Sequence, residues 1–140
     1  LQGITKTIER AYNVLKAALV IAAGSALVIF IIAPFLPLLF GDEYVSLPVI
    51  TRVLCWAVLP MAVAATALEA LGASGRQDIR AKIWNSGNLI GSVVVALFTW
   101  SFSISGTIGS YFMVETAIAA AVWIALLRLR RGDEAFAPAK

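Results

Sequence analysis

The chain has 140 residues, of which 61% are hydrophobic and only 14% charged, with a net charge of +3 and a mean hydropathy of +0.91. A soluble domain carries roughly 25% charged residues, so this composition excludes a globule that faces water on all sides. With no histidine, one cysteine, and no GxSxG, HExxH or GxxxxGK[ST] motif, no catalytic set, metal site or cofactor site is read, and an enzyme is not expected.

Residues 1–16 are amphipathic, with Ile4, Ile8, Tyr12 and Leu15 at helical spacing opposite Lys6, Glu9, Arg10 and Lys16. They predict an interfacial helix or a cytoplasmic extension of the next element. The chain begins with Leu rather than Met and shows no signal peptide. Further sequence upstream is therefore expected. Residues 17–41 contain no Asp, Glu, Lys or Arg, and a bilayer-spanning helix needs roughly 20 mostly apolar residues. A first span is predicted over 17–40, ended by Pro34, Pro37 and Gly41.

A second span is predicted over 47–71, opened by Pro48, with Arg52 and Glu69 near its ends. Pro60 should kink it or leave a carbonyl unpaired, and Cys55 reads as a small packing residue. Residues 83–114 again carry no charge, enough for two spans. The small polar cluster from Ser101 to Thr107 marks the turn between them, giving spans over 83–102 and 107–127. Helices and closed barrels are the structures that cross a bilayer, and these runs are too continuously apolar for barrel strands. The expected fold is all-α: a polytopic membrane protein with about four transmembrane helices over residues 17–131, forming part of a larger helical bundle. Residues 132–140 read as a short disordered cytoplasmic tail.

Charge orients the spans. Lys6, Arg10 and Lys16 precede the first, Arg76, Arg80 and Lys82 lie between the second and third, and Arg128, Arg130, Arg131 and Lys140 follow the fourth. Cations collect on the cytoplasmic side, so both ends of the segment are expected inside. The same asymmetry accounts for the basic balance, and no nucleic-acid partner is implied. Tyr44, Trp100 and Tyr111 fall near the outer interface, and Tyr12, Trp84 and Trp123 near the inner one, as an aromatic belt would.

Gly87 and Gly91 form a GxxxG pair, and Ala117, Ala121 and Ala125 repeat at the same spacing. They mark close helix packing, within the chain or, as the alternative, in a dimer. Asn85 and Asn88 line an aqueous path or are hydrated at the inner interface. Three charges lie within the spans, where each costs at least a few kcal/mol at mid-bilayer. Arg52 is expected to snorkel outward, with contact to an anionic head group as the alternative. Glu69 is expected to pair with Arg76 or Arg80. Glu115 lies about 12 Å into the last span, too deep to be interfacial, and needs a cation, water in a cavity, or a proton. Glu115, Arg52 and Glu69 are the candidates for a substrate or ion path.

The order of features resembles the last helices of the polysaccharide flippases, within the multidrug, oligosaccharidyl-lipid and polysaccharide exporter superfamily. The residues that carry it are Leu38-Leu39-Phe40-Gly41-Asp42-Glu43-Tyr44, Arg52-Val53-Leu54, Ala70-Leu71-Gly72-Ala73-Ser74-Gly75-Arg76 and Ile104-Ser105-Gly106-Thr107-Ile108-Gly109-Ser110. The resemblance covers about residues 5–131 and implies a C-terminal part of a transporter in the cytoplasmic membrane. That transporter would flip lipid-linked oligosaccharide precursors by alternating access, its partners being the bilayer, the glycolipid and the N-terminal part of the same protein. The alternatives are a self-contained four-helix membrane protein, such as a small multidrug exporter, and a structural membrane subunit. Small exporters carry a mid-membrane Glu on their first helix, where this chain has no charge.

Overall fold

The computed structural model describes the backbone of residues 2–135, and the side chains of these except at 2–5, 42 and 132–135. Every regular element among them is helical. Helix α1, Gln2–Ile32, runs without a break from the amphipathic start into the apolar stretch, so the first residues extend the long helix. Pro34 ends it, because its ring removes the N–H that the Phe30 carbonyl would accept from. The backbone tightens into a 3-10 turn at Ala33–Phe35 and resumes as the short α2, Leu36–Phe40. Gly41, at φ 98°, stops α2.

A second 3-10 turn, Asp42–Tyr44, leads to α3, Leu47–Leu54, with Pro48 in its first turn. A third, Cys55–Ala57, separates α3 from α4, Val58–Ala73. Pro60 stands in the first turn of α4, where a missing N–H is tolerated. The break expected from this proline thus lies just ahead of it. α4 ends in a Schellman turn: the Arg76 N–H reaches the Leu71 carbonyl and the Gly75 N–H that of Gly72, each at 3.0 Å. Gly75, at φ 78°, supplies the left-handed residue this motif needs.

The remaining helix, α5, spans Gln77–Ala135, 59 residues. Straight, it would measure about 88 Å. Instead Ser103 takes φ 54° and ψ −140°, and the chain doubles back inside the 101–107 turn region. A Cβ on Gly87 would stand 2.9 Å from Ile118, and one on Gly91 2.5 Å from Val114. Near the bend the Thr99 and Thr107 hydroxyls meet at 2.7 Å. One partner number rises as the other falls, so the two arms of α5, 77–102 and 104–135, pack antiparallel. The GxxxG pair is used inside the chain. The second arm continues through Ala135, and the rest of the expected tail, 136–140, lies outside the described residues.

α4 is the central element, packed on α1 and on the second arm of α5. The core gathers Ile8 and Ala11 of α1, Ala64, Ala67, Leu68, Ala70 and Leu71 of α4, and Ile118, Val122 and Leu126 of the second arm. It lies at the end where α4 stops and α1 begins. Many of its members are alanines, which let backbones approach closely. Trp123 donates its indole N–H to the Val63 carbonyl at 3.0 Å and lies 5.2 Å from the Tyr12 ring. Outside the core, Val20 is 73% exposed, Leu38 84% and Trp100 92%. Such a surface suits lipid better than water. The stretches Lys6–Phe40, Leu47–Ala73 and Gln77–Arg131 are each long and apolar enough to cross a membrane.

Candidate functional site: a cleft between α4 and the α5 hairpin

Above the Schellman turn, α4 and the first arm of α5 diverge around a cleft of about 660 Å³. Its wall is apolar except along one strip. At the turn end, Arg80 donates from Nη2 to the Glu69 carboxylate at 2.8 Å. Arg76 goes to Asp78 instead, at 3.6 Å. Glu69 thus has its partner, in an exposed pair worth at most about 1 kcal/mol where water reaches it. One helical turn further along α5, Trp84 and Asn85 face the cleft, opposite Met61 and Leu68 of α4.

Glu115, from the second arm, lines the far end. It stands about 18 Å along the helix from Ser103. Among the described residues no cation lies within ion-pair distance of it. One turn nearer the bend, the Tyr111 hydroxyl donates to Met61 Sδ at 3.6 Å, tying the second arm to α4 beside the cleft.

Glu115 also borders a groove of about 380 Å³ along the hairpin, with Asn88 and Ser92. Those two are satisfied locally: Asn88 Nδ2 donates to the Trp84 carbonyl and Ser92 Oγ to the Asn88 carbonyl, both at 2.8 Å. A further groove of about 390 Å³, bordered by Ile90, Met113 and Ala117, has no ionisable residue in its lining. The first cleft thus brings Arg80, Glu69, Asn85 and Glu115 into one lining.

Arg52 is placed apart. Its half-buried side chain turns onto α1, with Nε donating to the Phe30 carbonyl at 3.3 Å and the guanidinium 4.9 Å from the Phe30 ring centroid. That carbonyl is free because Pro34 follows four residues later. The structure brings Glu115 and Glu69 to one cleft and sets Arg52 on another task. Trp84 and Met61 carry no mark in the sequence that would place them as cleft walls. The proline four residues after Phe30 is the visible signal for a carbonyl in need of a donor. Among the described residues no group of three or more His, Cys, Asp or Glu is placed to hold a metal. No family model, curated protein or solved structure matches this chain.

Proposed function

We propose that the chain is a four-span part of a transporter that carries lipid-linked oligosaccharide precursors across the cytoplasmic membrane by alternating access, without covalent chemistry. The observation that carries the reading is Glu115, a carboxylate at mid-depth that faces a cleft and, among the described residues, has no cation within ion-pair distance. In a packing subunit such a charge costs a few kcal/mol with no return. In a transporter it is kept because it meets water, an ion or cargo. The cleft is amphipathic, with a polar strip for a head group and an apolar wall for a lipid chain. The fold at Ser103 supports counting α5 as two spans, and the cations before α1, after α4 and at the end of α5 support placing those ends in the cytoplasm. The oligosaccharide class rests on the sequence resemblance.

The test is glycolipid export in cells whose own flippase is deleted, supplied with the complete transporter containing these residues. Glu115→Gln keeps shape and removes charge. Normal membrane abundance with export cut at least tenfold is expected. Undiminished export would remove Glu115 from the mechanism. Loss of abundance together with export would point to a buried ion pair with another part of the protein, since removing one partner strands the other.

A further inference from the structure

The two proline-linked breaks lie side by side. The Ala33–Phe35 turn interrupts the first long helix, and the Cys55–Ala57 turn interrupts the second. They pack at one level: the Phe30 and Trp56 rings are 6.3 Å apart, and α1 touches the Cys55–Ala57 turn. The buried residues at this level are small, namely Ala33, Cys55 and Ala57. Small side chains let the two backbones approach closely at this level.

What lies beyond the breaks buries little within this chain. Neither α2 nor α3 contributes a buried residue, and α3 packs on α1, on α2 and on the adjoining turns. The core, by contrast, lies wholly at the other end of the molecule. Local stability follows buried apolar contact, and within this chain the well-packed and the sparsely packed parts meet at the two breaks. Among the described residues, one side-chain hydrogen bond crosses between them. Arg52 belongs to α3, and the Phe30 carbonyl that it serves belongs to α1 below the break. A long, flexible side chain keeps that carbonyl satisfied while the geometry changes; a backbone N–H from an unbroken helix would not.

We infer that residues 33–57 form a cap that swings about a paired hinge, the Ala33–Phe35 and Cys55–Ala57 turns, with Arg52 as its tether. Val58, the first residue of α4 past the hinge, lines the cleft that holds Glu115, so the swing acts on the cleft from its outer end. Service as an outer gate rests on the transport reading; the swing itself does not.

Spin-label distance distributions in the membrane-embedded protein test this, with Cys55 replaced by serine to keep its contact to the Arg52 carbonyl. Labels at Val45 and Ser101 report cap against hairpin. Labels at Ile29 and Ser101 form the control, with α1 marked below the hinge. The cap pair is expected to be roughly twice as broad as the control. Pro34→Ala with Pro60→Ala should narrow it to the control width. Arg52→Ala, which leaves both prolines in place, should broaden the cap pair and leave the control unchanged. A cap pair as narrow as its control overturns the hinge, and so does a cap width that Arg52→Ala leaves unmoved. Cap motion in a protein that exports no glycolipid would retire the transport reading and leave the hinge standing.

Discussion

At Phe30 a single missing atom decides the neighbourhood. Pro34 has no N–H, so the Phe30 carbonyl is served across 22 positions by Arg52. A stability cycle reads this directly. Arg52→Ala alone should cost about 1 kcal/mol, the worth of one interhelical hydrogen bond. In a Pro34→Ala background, whose N–H takes over the carbonyl, the same change should cost clearly less. Equal costs in both backgrounds would separate Arg52 from the proline. Ser103 offers a second case. Its φ of 54° is a conformation that glycine adopts freely and serine does not, with a strain of about 1–3 kcal/mol. Glycine costs the folded state about 0.4–1 kcal/mol, through the added entropy of the unfolded chain. Relief of the strain outweighs that cost, so Ser103→Gly should raise the melting temperature in detergent. A lower one would show that the serine is not strained there.

Among the elements, the α5 hairpin depends on glycines that let its arms touch: Gly87 and Gly91 on the first arm, and Gly106, which lies against the Phe98 backbone, on the second. At Gly91 even a methyl group would stand 2.5 Å from Val114, so Gly91→Leu must push the arms apart. Overpacking of this kind costs about 1–3 kcal/mol. Gly109 on the second arm has open space where its Cβ would be, and Gly109→Ala should be neutral or stabilising by up to about 1 kcal/mol. Thermal unfolding of the two variants, measured side by side, checks the pairing. Equal melting points would mean that Gly91 is not at a helix contact. The GxxxG spacing was readable along the chain, but its partners were not. Ile118 and Val114 are named only by the register of the fold-back, which a helical repeat does not specify.

For the whole molecule, the charge asymmetry makes an orientation that is open to measurement. With Cys55 replaced by serine, single cysteines at Glu43 or Ser105 should react with an impermeant thiol reagent added outside intact cells. A cysteine at Gln77, beside Arg76 and Arg80, should react only after the membrane is opened. Labelling of Gln77 from outside would invert the arrangement, and the cleft would then run from the outer face toward Glu115. The ion pair at its mouth is a smaller matter. Glu69→Gln breaks a pair in which the carboxylate side chain is 73% exposed, so export should fall less than twofold, in contrast to Glu115→Gln.

Composition and charge-free runs by themselves determined that the chain is helical and apolar enough for a membrane. Backbone groups in hydrocarbon must be paired within the segment, and that leaves few forms to choose from. Local chemistry also marked the ends: Pro34, Gly41, Pro48, Gly75 and the polar cluster around Ser103 act on their immediate neighbours. The fold alone decided which distant groups meet. Glu115 looked isolated on its own helix, and the fold-back at Ser103 together with the packing of α4 sets it in one cleft with Asn85, Arg80 and Glu69. Arg52 looked like a cation seeking the surface, and the approach of α3 to α1 also gives its Nε a carbonyl. Neither pairing has a periodic signal along the chain, because each depends on the relative position of helices that are joined only through turns.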